Sequence, residues 1–326
     1  MPEFRIGAGI ALGLLLFLML YRIPNMIRHP ESRLAWLASF TGCLALISVG
    51  VLPLLSLPVL DGWLGGTNLI NLSQNVLATC AFWFLLQATL TLDESRFNPA
   101  STWALPGMIV PFAIPFFMIA NRGPTDPNFI RSRVDDWALW AYAVLYMLSV
   151  TLIMTQILLG VRGRRPWQYH LIRIGAALIA LGSLLEVIYL TLRVLDVQPR
   201  ALIERLGDLF APPFFGGVVA VTAGIMSFTF AKWTRAGAWW LLGRLLAGTR
   251  ATHEIDVANL AQDDAAHESY RLAVRLTDLA NSQTLLRRER FSLVIAAWIL
   301  NRLMRAPAVV RLSIAPQDHP RLNGTS

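Results

Sequence analysis

The sequence predicts an all-α membrane protein with seven transmembrane helices, N-terminus outside and C-terminus inside, followed by a small helical cytoplasmic tail. Two observations support this fold class. Of the 326 residues, 55% are hydrophobic and 15% are charged, and the mean hydropathy is +0.53, whereas soluble domains carry about 25% charged residues. Several apolar runs also reach the roughly 18 residues that a helix needs to cross about 30 Å of hydrocarbon.

The predicted spans cover residues 6–23, 34–57, 69–92, 103–120, 137–161, 171–192 and 209–230. The first resembles a signal peptide, but it lacks a small-x-small cleavage site before the basic stretch with Arg22 and Arg28, so we expect a retained helix. Residues 1–230 therefore form a predicted transmembrane domain. Residues 231–305 are expected to be a helical tail with a membrane-surface helix, and residues 306–326 a loose C-terminal end.

The arginine distribution predicts the orientation. Arginines lie in the loop after the first predicted helix, and the loop after the fifth contains Arg162, Arg164 and Arg165 without an acid. The loops after the fourth and sixth helices offset their arginines with acidic residues. Because cytoplasmic loops are enriched in Arg and Lys, the odd-numbered loops and the tail are predicted to be cytoplasmic. The net charge of +8 is thereby explained without nucleic acid.

The tail shows two patterns. Residues 231–250 combine tryptophans with basic residues, which is typical of a helix at the headgroup layer. Residues 267–286 are amphipathic, with leucines on one face. Another face is a predicted partner-binding surface formed by Arg271, Arg275 and Asp278. A short apolar helix at residues 291–304 is expected to pack against the leucine face.

Glu186 is the only acid well inside a predicted span, and an ionisable group in the membrane indicates function by default. Other polar residues are predicted at the same depth. Those residues are Asn71, Gln74 and Asn75 on the third helix, Tyr142 and Tyr146 on the fifth, and Tyr189 one turn from Glu186. We expect an outward-opening ligand pocket between the three helices, and Glu186→Leu to be more costly than Glu186→Gln. The alternatives are ordinary interhelical hydrogen bonds and a pairing of Glu186 with Arg193.

Prolines form a second pattern. The fourth predicted helix contains Pro106, Pro111 and Pro115, and the seventh begins with Pro212 and Pro213. A proline inside a helix removes a backbone hydrogen bond and kinks the helix. Bent helices line cavities in transporters and receptors, so these prolines are candidate kink or gating positions. Purely structural kinks are the alternative.

Motifs of catalysis, metal binding and cofactor binding are lacking. The sequence has no HExxH, Walker loop, G-x-S-x-G or GxGxxG motif. Its two cysteines, Cys43 and Cys80, both fall in apolar segments. The only lysine is Lys232, outside every predicted span, which argues against a retinal Schiff base. We therefore expect neither an enzyme nor a bound metal or cofactor.

Three stretches carry a family resemblance: residues 21–33, which contain Tyr-Arg-Ile-Pro-Asn and Arg-His-Pro-Glu-Ser-Arg; residues 67–72, Thr-Asn-Leu-Ile-Asn-Leu; and residues 270–278. The last is similar to a Tyr-Arg-Arg-Val-(Ile/Val)-Glu-Ile-Arg-Asp helix, from which Arg275 and Thr277 depart. The chain thus resembles an actinobacterial family of seven-helix membrane proteins of unknown function, usually labelled transporters. The resemblance implies a bacterial plasma membrane and no particular reaction.

Three functions are compatible with this sequence. The first is a receptor-like sensor with an outer pocket for a small-molecule ligand and a tail that contacts a cytoplasmic regulatory protein. The second is a small-solute transporter, although seven helices do not divide into two equal repeats. The third is a membrane anchor that presents its tail to a soluble partner. In each case the lipid bilayer is an expected partner.

Overall fold

A computed structural model describes residues 2–28, 32–50, 55–90, 103–126, 128–133, 135–164 and 166–247, and residue 295. Within residues 2–247 the described chain forms ten helices. They are α1 (Pro2–Arg28), α2 (Arg33–Ser48), α3 (Leu57–Trp63), α4 (Leu69–Leu90), α5 (Ala104–Met118), α6 (Phe129–Ser132), α7 (Trp137–Gly160), α8 (Trp167–Val194), α9 (Arg200–Asp208) and α10 (Ala211–Ala247).

Packing divides the chain into two compact units, Met1–Phe228 and Thr229–Ser326. The predicted tail helix at 267–286 lies outside the described residues, and so do the loose end at 306–326 and all of the helix at 291–304 except residue 295. The predicted partner-binding residues Arg271, Arg275 and Asp278 fall in the same part.

Among the described residues, five helical stretches are long and apolar enough to cross a membrane. They are Ile6–Arg28, Leu69–Leu90, Trp137–Gly160, Trp167–Val194 and Arg200–Ala231, the last of which combines α9 with the first part of α10. Two further apolar helices, α2 and α5, have 16 and 15 residues. At about 1.5 Å per residue they extend over roughly 22–24 Å, less than the hydrocarbon thickness. The chain is thus an all-helical, multi-pass membrane protein by length and composition.

The second predicted span differs from the structure. We expected one helix over residues 34–57, but α2 ends at Ser48 and a separate helix, α3, begins at Leu57. Gly50 has φ +76°, and its N–H donates to the Ile47 carbonyl at 2.9 Å. A glycine in the left-handed region is a common helix ending. The apolar run therefore contains a helix end that hydropathy alone does not reveal.

The helices of the first unit pack in a series in which the last helix, α10, contacts the first two. Helix α1 packs on α2, α2 on α4, α4 on α7 and α7 on α8, and α5 fills the side of α4 and α7. Glycines on α8 and α10 bring these two helices together, because a β-carbon at Gly182 would lie 3.0 Å from the Phe214 nitrogen. Phe215 and Val218 of α10 complete the order by packing against the small core of α1 and α2.

One end of this unit contains the short helices α3, α6 and α9, and we call it the cap end. Asn68, between α3 and α4, donates a hydrogen bond to the Arg122 carbonyl after α5. Arg131 of α6 donates to the Gly207 carbonyl of α9. These contacts show that the three short helices belong to the same end of the bundle. Sequence periodicity did not predict them, since none is longer than nine residues.

Candidate functional site

Three of the predicted polar residues, Asn71 and Asn75 of α4 and Tyr142 of α7, form one hydrogen-bonded group. The Tyr142 hydroxyl donates to Asn71 Oδ1 at 2.7 Å, and Asn75 Nδ2 donates to the Tyr142 oxygen at 2.6 Å. The structure thus brings together three residues that the sequence placed at one depth. Gln74 is half-buried on the same helix and takes no part in this group.

Aromatic rings of α5 enclose the group. Phe116 lies edge-on to Tyr142 with ring centroids 5.1 Å apart, and Phe112 lies 5.7 Å from Tyr146 in the same manner. Phe112 and Phe116 are both fully buried. The space between α4, α5 and α7 is therefore packed, and the arrangement fits an interhelical hydrogen-bond contact.

Glu186 belongs to a second group, separate from the first. It lies on the buried face of α8, with 7% of the residue exposed. No hydrogen bond joins it to the group around Tyr142 anywhere in the described residues. Its Oε2 atom is buried and has no hydrogen-bond partner among the described residues. The single pocket that we expected between three helices is thus two clusters in the structure.

Tyr189, one turn beyond Glu186, is fully buried and bordered by two arginines. Arg193 donates from Nη1 to the Tyr189 hydroxyl at 2.7 Å. The Arg131 guanidinium lies over the Tyr189 ring, 5.5 Å from its centroid, a geometry in which cation and π-system attract. Arg131, contributed by the short helix α6, was not predicted for this site.

Helix α9 covers the tyrosine. A β-carbon at Gly207 would lie 2.7 Å from the Tyr189 ring, so glycine allows α9 to approach. Arg131 holds the same residue by donating from Nη2 to its carbonyl at 2.7 Å. On the other side, Arg193 pairs with Glu204 of α9 at 3.1 Å. The alternative pairing of Glu186 with Arg193 is therefore replaced by contacts of Arg193 to Tyr189 and Glu204.

A third polar group was missed by the sequence reasoning. Asp61 of α3 is fully buried, and its carboxylate accepts hydrogen bonds from the backbone N–H groups of Asn68 and Ile70 at 2.8 and 2.9 Å. The Thr125 hydroxyl donates to the same carboxylate at 2.6 Å. The acid thus ties together α3, the first turn of α4 and the loop after α5.

Asn68 completes that group from a left-handed backbone position, φ +59°, which asparagine tolerates better than most residues. Its side-chain amide donates to the carbonyls of Arg122 and Pro124 at 2.7 and 2.8 Å, and its Oδ1 accepts from the Asp126 N–H at 2.8 Å. With all of these bonds made, the group braces the cap end. The turn residues around Gly65 and Gly66 were the only sequence signal for it.

The predicted kink prolines occupy two kinds of position. Pro111 and Pro115 lie inside α5, where each lacks the N–H of a helical hydrogen bond. Ser149 of α7 donates to the nearby Met108 carbonyl at 3.2 Å. Pro106 lies in the first turn of α5, and Pro212 and Pro213 in that of α10. In a first turn the missing N–H has no intrahelical partner, so those three need not bend a helix.

Within residues 2–247 and at residue 295, no group of three His, Cys, Asp or Glu side chains is arranged to hold a metal ion. Comparison with protein-family models, curated proteins and solved structures finds no match for this chain. The long apolar helices define the class, a multi-pass α-helical membrane protein. Any narrower function rests on the geometry around Glu186.

Proposed function

We propose that the chain is a receptor-like sensor of the bacterial plasma membrane. Its ligand site is the cluster of Glu186, Tyr189 and Arg131 beneath α9. The observation that carries the proposal is the Oε2 atom of Glu186, buried without a hydrogen-bond partner among the described residues. An unmade bond of this kind costs about 1–3 kcal/mol. A ligand that donates a hydrogen bond to this oxygen would recover that free energy. A small ammonium group fits best, because it adds opposite charge.

The proposal includes seven crossings, with α2 and α5 counted beside the five longer stretches, and it places the cap end outside. The arginine-rich loop between α7 and α8 supports this orientation, since Arg162 and Arg164 then face the cytoplasm. The resemblance to an actinobacterial seven-helix family agrees with the number of crossings. Under this orientation the acid is approached from outside and residues 231–326 lie inside.

A sensor is favoured over a carrier by the continuity of the long helices. Carriers commonly hold substrate at helices that are broken near the middle of the membrane. Here α4, α7 and α8 run unbroken for 22, 24 and 28 residues, and α10 runs unbroken for 37 residues from Ala211 to Ala247. One continuous helix thus begins at the cap end and extends into the predicted tail. Such a helix suits transmission of a change at the site to a cytoplasmic partner.

Thermal unfolding of the full-length protein in nanodiscs tests the proposal. The probes are methylammonium, ethanolamine, choline and putrescine. Binding to the folded state at 100 times Kd adds about 2.7 kcal/mol to stability, so at least one amine should raise the unfolding midpoint. Glu186→Gln should abolish that shift. Asp196→Asn, which removes an exposed acid at the same end but outside the cluster, should retain it.

Two outcomes would contradict the proposal. If no amine raises the midpoint of the parent protein, the site does not bind ammonium groups. If the shift survives Glu186→Gln, the amine binds elsewhere. Uptake of the bound amine into proteoliposomes distinguishes a sensor from a transporter. Accumulation inside the vesicles would identify a transporter.

A further inference from the structure

Helix α9 exposes an apolar face. Towards the bundle it buries Ile203 and Gly207. On another side, Leu202 is 65% exposed and Leu209, directly after the helix, is 57% exposed. The two leucines are seven residues apart, which places them on the same side of a helix, and the exposed Arg205 lies between them. Two large apolar side chains on one exposed face are poorly suited to water.

The apolar face of α9 continues an exposed apolar stripe on α8. The residues Ile174, Leu181, Ile188 and Leu195 recur at every seventh position and are exposed by 55%, 51%, 48% and 67%. In a membrane-spanning helix a stripe of this kind faces hydrocarbon. Leu195 is its last member, at the C-terminus of α8, and it leads directly into the turn before α9. The exposed leucines of α9 therefore begin where the lipid-facing stripe ends.

Tryptophans mark the same end as the edge of the membrane. Trp63 at the end of α3 is 73% exposed, and Trp137 at the start of α7 is 60% exposed. Exposed tryptophans are enriched at the headgroup level of a bilayer. Both belong to the cap end, because Asp61 of α3 accepts a hydrogen bond from Thr125 in the loop after α5, and that loop leads through α6 to the start of α7. Helix α9 lies at the end that these residues assign to the interface.

Three of the four charged residues of α9 form ion pairs, and the first of these pairs is Arg200 with Asp196. Glu204 pairs with Arg193 and Asp208 pairs with Arg131, so both acids are held by arginines of the bundle. Arg205 forms no ion pair within the described part of the chain. It is the cation on the leucine side, and a phospholipid phosphate is the anion that a bilayer offers there.

We infer that α9 is an interfacial helix whose leucine face binds the phospholipid bilayer: Leu202 and Leu209 enter the region between headgroups and acyl chains, and Arg205 contacts lipid phosphate. Helices with one apolar face and basic residues beside it lie in this way along membrane surfaces. The aliphatic part of the arginine side chain covers apolar surface while its head reaches the phosphate. Helix α9, which covers Tyr189, therefore contacts the bundle on one side and lipid on the other.

Spin-label accessibility in full-length protein tests the inference. In a variant carrying Cys43→Ala and Cys80→Ala, single cysteines replace Leu202, Leu209 or Ala201 and carry a nitroxide. The exposed Ala201 lies on the acidic side of α9 and is the matched control. The protein is placed singly in nanodiscs of phosphatidylcholine and phosphatidylglycerol. Collision rates are measured with oxygen, which concentrates in lipid, and with a water-soluble nickel chelate.

We expect the oxygen-to-nickel ratio at positions 202 and 209 to exceed that at 201 several-fold. Arg205→Gln should lower the ratio at 202, because the phosphate contact is lost. Equal ratios at the three positions would overturn the inference, since the leucine face would then be in water. A second preparation holds two copies in each disc. Spin–spin broadening at 202 in that preparation, with low accessibility to both reagents, would also overturn the inference by showing that a second copy covers the face.

Discussion

Gly175 of α8 and Gly217 of α10 face each other so closely that a β-carbon on Gly175 would lie 2.7 Å from the Gly217 carbonyl oxygen, and the reverse distance would be 2.6 Å. Neither helix could keep this position with any side chain at the contact. In membranes, where lipid is as apolar as leucine, small residues let helices gain van der Waals contact and associate. The pair therefore sets how α10 packs against the helix that carries Glu186.

Alanine at Gly217 should destabilise the bundle, whereas alanine at Gly216 should not. Gly217→Ala forces a methyl group against backbone atoms of α8, and overpacking of this kind typically costs about 1–3 kcal/mol. Gly216 has open space around its β position, so Gly216→Ala is the matched control. Thermal unfolding in nanodiscs measures both. Similar midpoints for the two variants would mean that α8 and α10 are not in this close contact.

Removing the Tyr142 hydroxyl should loosen the contact between α4 and α7. Tyr142→Phe deletes two hydrogen bonds and leaves Asn71 and Asn75 without their partner, a loss of about 1–3 kcal/mol. Tyr146→Phe is the control, because this hydroxyl forms no hydrogen bond within the described residues and lies on the same face one turn away. The free energy of unfolding of both variants decides the matter. Equal losses would show that the hydroxyl of Tyr142 does not hold the asparagines.

Asp61→Ala should be among the most destabilising substitutions at the cap end. It removes a fully buried carboxylate that accepts three hydrogen bonds, and it leaves the N–H groups of Asn68 and Ile70 unpaired. The loss of stability from breaking such a network reaches several kcal/mol. Thr67→Ala, at an exposed neighbouring position, should be neutral. Hydrogen exchange of the first turn of α4 should speed up in the first variant alone. Unchanged exchange would remove Asp61 from the bracing role.

Hydropathy predicted the long helices because the physics is local: a run of about 20 apolar residues has few alternatives to a helix in lipid. It did not predict where α2 ends, since Gly50 lies within the apolar run. It also missed α9, whose nine residues are held by Arg131 and Arg193 from elsewhere in the chain. Such contacts join distant segments and leave no periodic signal.

The candidate site was predicted in part for a related reason. Helical spacing placed Asn71, Asn75 and Tyr142 at one depth, and they do meet. Glu186 was predicted at the same depth but forms no hydrogen bond to them, because depth along a helix does not determine which neighbour a residue faces. The bracing role of Asp61 depends on N–H groups seven and nine residues away and on Thr125. Only the folded chain brings these together.

The structure reverses one expectation about Glu186. Sequence reasoning held that Glu186→Leu would cost more than Glu186→Gln, because polar partners would lose an acceptor. Since Oε2 has no such partner in the described residues, leucine should match or exceed glutamine in stability, as replacements of unsatisfied buried groups often do. Unfolding midpoints of the two variants in nanodiscs test this. A leucine variant clearly less stable than the glutamine variant would reveal a hydrogen-bond donor to Glu186.

Access to position 186 from outside the cell tests the central claim most directly. In the variant carrying Cys43→Ala and Cys80→Ala, Glu186→Cys is exposed in intact cells to a membrane-impermeant methanethiosulfonate, with Leu181→Cys on the lipid-facing stripe as control. We predict that the reagent modifies position 186 from outside, that it does not modify position 181, and that an amine that binds the site slows the reaction. Modification of position 186 only in inverted membrane vesicles, or in neither preparation, would contradict an outward-opening site at Glu186.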